Sequence, residues 1–145
     1  EDHRIVRTKL GKPYIQGAYP FSVAHSRNTS LLSIMLDHKS SVGVDIEEYQ
    51  TVPLKPYQPY FHHNELQFIT HLNDSSSALL QIWTKKEAVL KASGVGLHEQ
   101  INLIDTTKNE LTLNNQHYGL TGLELRSGYL SAISWRKNGC GQKND

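Results

Sequence analysis

One long segment with helical periodicity constrains the fold more than any other feature of the sequence. Residues 78–93 repeat apolar side chains at helical spacing, and Gly94 follows where such a helix must end. The apolar stripe consists of Leu79, Leu80, Ile82, Trp83, Val89 and Leu90. The chain therefore contains a long amphipathic helix whose apolar side must pack on other elements.

Shorter apolar segments on both sides of this helix favour β-strands. The predicted strands are residues 21–23, 31–36, 41–46, 111–113, 123–125 and 129–135. The polar residues 37–40 predict a hairpin loop between the second and third of them. Three prolines predict a loop over 51–60, and residues 64–72 predict a second helix. The fold class is therefore α+β with an antiparallel or mixed sheet.

Composition excludes several classes of partner. The chain has 145 residues, of which 37% are apolar, so we expect one domain with one core. Its formal charge is 15 − 14 = +1, which argues against nucleic acid and a membrane surface as partners. The single cysteine, Cys140, excludes an intrachain disulfide, and we expect a cytoplasmic protein.

The segment 43–48 carries the first candidate site. Side chains alternate along a strand, so Asp45 and Glu47 project from one face while Val44 and Ile46 point into the core. Two carboxylates at this spacing repel each other unless a cation lies between them. Oxygen ligands favour Mg²⁺, with Mn²⁺ as a second choice. The alternative is a polar strand face with two solvated acids.

The long helix carries the second candidate site. Glu87 and Lys91 are one helical turn apart, and Trp83 precedes Glu87 by another turn. A bulky aromatic packed beneath a charged pair predicts a partly buried position. The alternative is an ordinary ion pair on the helix surface.

A third candidate is His25 with Ser26 beside it. A histidine next to a hydroxyl can bind phosphate, and it can also suggest Ser–His nucleophilic catalysis. Adjacent residues rarely form the hydrogen bond that such catalysis needs, and the chain has no Gly-x-Ser-x-Gly motif. The alternative is a structural histidine.

Together and in order, these motifs resemble one family, the 4′-phosphopantetheinyl transferases of the longer, surfactin-synthetase-activator type. The resemblance is carried by Gly11-Lys12-Pro13, Phe21-Ser22-Val23-Ala24-His25-Ser26, Val42-Gly43-Val44-Asp45-Ile46-Glu47, Phe61 with Glu65, Trp83-Thr84-Lys85-Lys86-Glu87-Ala88, Lys91-Ala92 and Gly94-Val95-Gly96-Leu97. It implies an α+β half-barrel of antiparallel strands packed on a long helix. It also implies that residues 1–39 end the N-terminal half of a pseudo-dimer, most of which is lacking. Residues 40–136 would then be the C-terminal transferase domain, and 137–145 a polar tail.

The resemblance also implies a reaction. Such enzymes transfer 4′-phosphopantetheine from coenzyme A to a serine of an apo acyl or peptidyl carrier protein and release adenosine 3′,5′-bisphosphate. Mg²⁺ is the implied cofactor, with Mn²⁺ possible in its place, and coenzyme A is the co-substrate. The implied partners are coenzyme A and the carrier protein.

Residue roles follow from the same resemblance. Asp45, Glu47 and Glu87 would hold the metal ion, Glu87 would act as general base, and Lys91 would contact the leaving phosphate. The remaining coenzyme contacts would be Lys12, Pro13, His25 and Lys86. Glu65 matches a family acid near the active site, or it is a charge on a helix surface.

Two other functions use the same residues. The acids could serve another Mg²⁺-dependent phosphotransferase or a nuclease, which would need no carrier protein. Alternatively, the chain could be a non-catalytic fragment that binds coenzyme A or a carrier protein. In either case two copies could associate through the apolar face that the missing half would cover.

Overall fold

Two antiparallel hairpins form the first part of the chain. A computed structural model describes residues 4–96 and 100–138. In the first hairpin, β1 (Ile5–Arg7) pairs with β2 (Pro13–Ile15), and the turn between them contains Gly11 at φ 88°. In the second, β3 (Phe21–Ser26) pairs with β4 (Thr29–Ile34). The predicted strands begin at residue 21, so the pairing of residues 5–7 with 13–15 adds a hairpin that the sequence did not indicate.

The rest of the chain forms one antiparallel sheet and two helices. The strands are β5 (Val42–Glu48), β6 (Glu110–Leu113), β7 (Gln116–Leu123) and β8 (Tyr129–Arg136). They lie in the order β5-β8-β7-β6, and all neighbours are antiparallel. The helices are α1 (His63–His71) and α2 (Ser75–Ser93), and short 3-10 turns occur at Gln58–Tyr60 and Ile101–Leu103.

Capping residues set both ends of α2. The Asp74 carboxylate accepts a hydrogen bond from the Ser77 backbone N–H at 2.9 Å, so the helix starts three residues before the predicted 78. At the other end Gly94 adopts φ 74°, and its N–H donates to the Leu90 carbonyl. The long helix and its stop are confirmed.

β5 is buried on both of its faces. Val44 and Ile46 pack with Ala24 of β3, which confirms their predicted place in the core. The opposite face of β5 lies against α2, whose side chains Leu79 and Ile82 pack near Leu130 of β8. The structure therefore confirms the α+β class and the packing of antiparallel strands on one long helix.

The predicted hairpin across residues 37–40 is wrong. β4 pairs with β3 through a two-residue loop instead, and β5 pairs with β8. Arg27 occupies this loop at φ 47°, a conformation in which Gly is usual. Because Arg gives no turn signal, the sequence did not indicate this hairpin.

The strand predicted at residues 123–125 is displaced toward the N-terminus. The observed strand is β7, Gln116–Leu123. Gly119 and Gly122 interrupt the apolar pattern of this segment. A Cβ atom at Gly119 would lie 2.4 Å from the Trp135 ring, so the glycine makes room for the aromatic side chain on the neighbouring strand.

Two serines of β3 bind the free edge of β5. The Ser22 hydroxyl accepts a hydrogen bond from the Val44 N–H at 3.1 Å, and the Ser26 hydroxyl accepts one from the Glu48 N–H at 2.9 Å. The two serine hydroxyl groups thus accept hydrogen bonds from backbone N–H groups that would otherwise pair with another strand. This contact brings His25 of β3 next to the carboxylates of β5.

Candidate active site

Five of the predicted site residues line one pocket of about 380 Å³. Lys12 and Pro13 come from the β1–β2 hairpin, His25 comes from β3, and Glu87 and Lys91 come from α2. These residues are far apart in the sequence, so only the tertiary fold brings them to one pocket.

Asp45 lies beside this pocket and pairs with Lys91. The Lys91 ammonium donates to Asp45 Oδ1 at 2.8 Å, so the ion pair of this lysine joins α2 to β5. Burial raises the pKa of Asp45, and the Lys91 charge opposes that rise. Within the described chain, the second oxygen of Asp45 is buried without a hydrogen-bond partner. One carboxylate oxygen is therefore free for a ligand.

Glu47 and Glu87 both interact electrostatically with Asp45. Burial raises the pKa of each, and the Asp45 carboxylate raises both further. Glu47 also raises the pKa of Glu87. The three acids repel one another, and the Lys91 charge only partly offsets this repulsion.

The donor set suits a hard cation. It consists of three carboxylates, and one of their oxygens is buried and unpaired. As the side chains stand, no group of three or more His, Cys, Asp or Glu residues within 4–96 and 100–138 could hold a metal ion. The charges therefore fit Mg²⁺, but the side chains are not gathered around one point.

The ammonium group of Lys12 points to the backbone. It donates to the carbonyl oxygens of Val42, at 3.2 Å, and Ala92, at 3.5 Å. Burial lowers the pKa of Lys12, and the nearby Arg136 lowers it further. The Lys12 stem and the Pro13 ring are left to line the pocket.

Lys86 does not reach the pocket, which corrects its predicted contact with the coenzyme. Its side chain is fully buried, and its ammonium donates to Glu65 at 2.8 Å and to the carbonyl oxygens of Ile101 and Ile104. Burial lowers the pKa of Lys86, and the Glu65 charge opposes that change. An ammonium group enclosed by three oxygen acceptors cannot also bind a phosphate in this conformation.

Glu65 is the buried partner of Lys86, so it is not a charge on a helix surface. One carboxylate oxygen accepts hydrogen bonds from the N–H and hydroxyl of Thr106, and the other accepts one from the His62 N–H at 2.7 Å. The pair joins α1, α2 and the segment 101–106. Its place is structural, away from the pocket.

The sequence spacing predicted that Trp83 packs beneath Glu87 and Lys91, but it does not. Its ring makes edge contacts with Tyr57, Tyr60 and Phe61, in the segment that leads to α1. The alternative, an ordinary ion pair between Glu87 and Lys91 on the helix surface, is also wrong. Lys91 pairs with Asp45 instead.

Arg7 also lines the pocket, and sequence reasoning missed it. It pairs across the first hairpin with Pro13, and its guanidinium donates to the Gly11 carbonyl at 2.9 Å. The available signal was a charged segment ending at a Gly-Lys-Pro turn, which is typical of a hairpin. Of the predicted motifs, Leu97 lies outside the described residues, as do Cys140 and most of the polar tail.

No helix in the described parts of the chain is long and apolar enough to cross a membrane.

The chain is similar in sequence to proteins of one known family. Residues 41–134 match the family described as "ACPS: 4′-phosphopantetheinyl transferase superfamily". The chain is 29% identical over 106 residues to the 4′-phosphopantetheinyl transferase gsp of Aneurinibacillus migulanus, covering 72% of this chain and 44% of that protein.

Two further proteins are similar. A Haemophilus influenzae protein, which carries the same transferase name provisionally, is 31% identical over 107 residues, covering 69% of this chain and 44% of its own length. The chain thus spans less than half of these two relatives. The crystal structure of Thermotoga maritima holo-[acyl-carrier-protein] synthase is similar in fold, with a TM-score of 0.51 and 17% identity over 67% of this chain and 62% of that chain.

Proposed function

The chain belongs to the 4′-phosphopantetheinyl transferase superfamily, and we propose that it transfers 4′-phosphopantetheine from coenzyme A to a serine of an apo acyl or peptidyl carrier protein. The other product is adenosine 3′,5′-bisphosphate. The observation that carries the proposal is the convergence of His25, Glu87 and Lys91 on one pocket beside Asp45. These residues supply a carboxylate base, an ammonium group and an imidazole where a diphosphate would be cleaved.

Glu87 is the proposed proton acceptor. A serine hydroxyl is a weak nucleophile until a base removes its proton. Burial and two neighbouring carboxylates raise the pKa of Glu87, which makes it a stronger base than an exposed glutamate. Since Glu87 lines the pocket, its carboxylate can reach a hydroxyl that enters there.

Lys91 and His25 are the proposed phosphate contacts. Cleavage of the diphosphate leaves negative charge on the departing phosphate. Lys91 lies one turn beyond Glu87 on the same helix, so it can hold that phosphate next to the base. His25 faces the same pocket from β3, while the Lys12 stem and Pro13 would line the adenine site.

Asp45, Glu47 and Glu87 are the residues that would hold Mg²⁺, with Mn²⁺ as an alternative. When bound, the ion supplies positive charge that neutralises the phosphate oxygens. The unpaired Asp45 oxygen and the mutual repulsion of the three acids support this assignment.

Residues 40–136 are the proposed transferase domain, because both helices and the four-stranded sheet fall within them. Residues 1–39 are the proposed end of a preceding half, and 137–145 a polar tail. The two hairpins of 1–39 supply Lys12, Pro13 and His25 to the pocket, so the site needs both parts. A cytoplasmic location belongs to the same proposal.

A mass-spectrometric transfer assay tests the function. The chain is mixed with Mg²⁺, coenzyme A and a panel of apo carrier proteins. We expect one carrier to gain the mass of one phosphopantetheine. Glu87→Gln should lower the rate by at least about 100-fold, because it removes the base and a metal ligand.

Glu124→Gln is the matched control, since Glu124 is an exposed carboxylate away from the pocket. It should transfer at the normal rate. If Glu87→Gln kept near-normal turnover with saturating Mg²⁺, the assigned role of Glu87 would be wrong. No mass gain on any carrier would contradict transfer by this chain.

A further inference from the structure

The Ser26 hydroxyl lies where the end of β3 meets the carboxylates of β5. Its oxygen accepts a hydrogen bond from the Glu48 N–H at 2.9 Å. Ser22 makes the same kind of bond with the Val44 N–H at 3.1 Å. Both bonds join residues 22 positions apart, so β3 and β5 run side by side in the same direction. The two serines thus fix the position of one strand along the other.

The bond with the Glu48 N–H leaves the proton of the Ser26 hydroxyl for a second partner. A serine hydroxyl can donate one hydrogen bond in addition to those that it accepts. The residue next to that amide is Glu47. Burial and the Asp45 charge raise the pKa of Glu47, and a hydrogen bond from the Ser26 hydroxyl opposes this rise. Ser26 therefore connects the backbone of β5 to the Glu47 carboxylate.

The carboxylates on either side of Glu47 have charged partners. Lys91 pairs with Asp45 at 2.8 Å, and Arg27 pairs with Glu48 at 2.5 Å. The hydroxyl group that contacts Glu47 differs from these partners, because it fixes the direction of a carboxylate without adding a charge. The negative charge of Glu47 is therefore directed by this contact and not neutralised by it.

Ser26 acts on Glu47 and not on a ligand in the pocket of the candidate active site. Its neighbour His25 lines that pocket, and Ser26 is not among the described residues that line it. Side chains alternate along a strand, so these two residues lie on opposite faces of β3. His25 is exposed, whereas Ser26 is half-buried beside β5.

We propose that Ser26 is a positioning residue, which holds the Glu47 carboxylate in one orientation toward the cation that Asp45, Glu47 and Glu87 would bind. The orientation follows from the contact between β3 and β5, whereas the metal role of Glu47 rests on the proposed function. Carboxylate ligands are commonly held by hydrogen bonds of this kind, and loss of such a partner weakens metal binding by about 10–100-fold.

NMR spectroscopy of the metal-free chain tests the orientation. The three-bond couplings between the Hα and Hβ protons of Glu47 show whether its side chain occupies one rotamer or several. We expect one rotamer in the unmodified chain and averaged couplings in Ser26→Ala. Ser26→Thr keeps the hydroxyl group, so it should restore the single rotamer.

Ser22→Ala is the matched control, because it removes the equivalent bond between β3 and β5. The amide that Ser22 binds belongs to Val44, three positions before Glu47. Amide hydrogen exchange should therefore rise by at least about fivefold at Val44 in Ser22→Ala and at Glu48 in Ser26→Ala. The Glu47 couplings should change only in Ser26→Ala. If Ser22→Ala averaged them equally, general loosening of the strand contact would explain the effect and the proposal would fail.

Titration with Mn²⁺, followed by electron paramagnetic resonance, tests the consequence for the site. Ser26→Ala should weaken Mn²⁺ binding by at least about tenfold, whereas Ser26→Thr and Ser22→Ala should bind it nearly as well as the unmodified chain. If the couplings respond as expected but the unmodified chain binds no Mn²⁺, the positioning by Ser26 stands and the metal role in the proposed function fails.

Three results would overturn the positioning role. They are several rotamers of Glu47 in the unmodified chain, a single rotamer in Ser26→Ala, and equal Mn²⁺ affinity of Ser26→Ala and the unmodified chain.

Discussion

The raised pKa values of Asp45, Glu47 and Glu87 have a cost for the folded protein. Burial and mutual repulsion make the charged form of each group less favourable in the folded chain than in the unfolded one. The folded state therefore binds protons more tightly at these groups. Stability falls as the pH rises from the ordinary carboxyl pKa through the raised one. These three carboxylates therefore lower the stability of the folded chain at neutral pH.

Glu87→Gln should relieve part of this cost. Without the Glu87 carboxylate, the variant does not lose stability from this group at neutral and alkaline pH. With a chelator present, we expect a higher thermal unfolding midpoint than the unmodified chain at about pH 8, and a smaller gain near about pH 4. Differential scanning calorimetry at both pH values measures it.

The exposed Glu124→Gln should show no such gain. Adding Mg²⁺ should stabilise the unmodified chain more than Glu87→Gln, because the variant has lost a proposed ligand. A Glu87→Gln variant that is less stable than the unmodified chain at about pH 8 would show that the charge of Glu87 stabilises the fold.

The pair of Lys86 and Glu65 shows how strongly a residue's role depends on its partners. Lys85 and Lys86 are adjacent lysines on α2, yet only Lys86 is fully buried. Helical rotation turns Lys86 toward α1 and the segment 101–106, where Glu65 and two carbonyl oxygens meet it.

Lys86→Met should destabilise the chain by about 3–5 kcal/mol, because it leaves the Glu65 charge buried without its partner. Urea denaturation monitored by tryptophan fluorescence measures the change. The double variant Glu65→Gln/Lys86→Met should recover part of the loss, since no unpaired charge remains. Equal losses in the single and double variants would show that shape, and not charge, sets the cost.

Among the elements, the contact between β5 and α2 positions the candidate active site. A Cβ atom at Gly43 would lie 2.0 Å from the Ala88 carbonyl oxygen and 2.3 Å from the Ala92 N–H nitrogen, so the helix backbone rests directly on the strand. This close approach sets Asp45 within 2.8 Å of Lys91. The glycine is therefore needed for space and not for its backbone angles.

Gly43→Ala should push α2 away from β5, because the atoms it meets belong to the rigid helix backbone. We expect a loss of about 3 kcal/mol or more in the free energy of unfolding, together with loss of transfer activity. Chemical denaturation and the transfer assay measure the two effects.

Gly122→Ala is the control on β7, where a Cβ atom would meet nothing nearer than 3.9 Å. It should change the unfolding free energy by less than about 1 kcal/mol. If Gly43→Ala were equally mild, the helix would not be seated on the strand as described.

At the level of the whole molecule, the outer face of the β3–β4 hairpin is apolar and uncovered. Its inner face, with Ser22 and Ala24, is buried against β5. On the outer face Val23, Leu32 and Ile34 are 45%, 59% and 55% exposed. Val23 and Leu32 are direct cross-strand partners, so these side chains form one patch.

We expect two copies of the chain to associate through this patch at concentrations of tens of micromolar. Leu32→Lys should shift the chain to monomer in sedimentation velocity, because it places a charge in the contact. Leu125→Lys is the control, since Leu125 is equally exposed but lies outside the hairpin. A monomer of the unmodified chain at these concentrations would contradict the expectation.

Local patterns in the sequence were sufficient to predict much of the fold. The apolar stripe and Gly94 predicted α2 and its end, and alternation along residues 43–48 put Asp45 and Glu47 on one face and Val44 in the core. These predictions depend on the geometry of neighbouring residues along the backbone, so the sequence contains them directly.

Which partners the side chains meet depended on contacts between distant segments. Lys91 pairs with Asp45, 46 residues away, and not with Glu87 one turn before it. Lys86 is enclosed by residues up to 21 positions away, and β4 pairs with β3 instead of β5. Periodicity describes which face a side chain occupies. The packing of the whole chain decides what covers that face. Burial and ion pairing depend on how several helices and strands pack together, and no single element determines them.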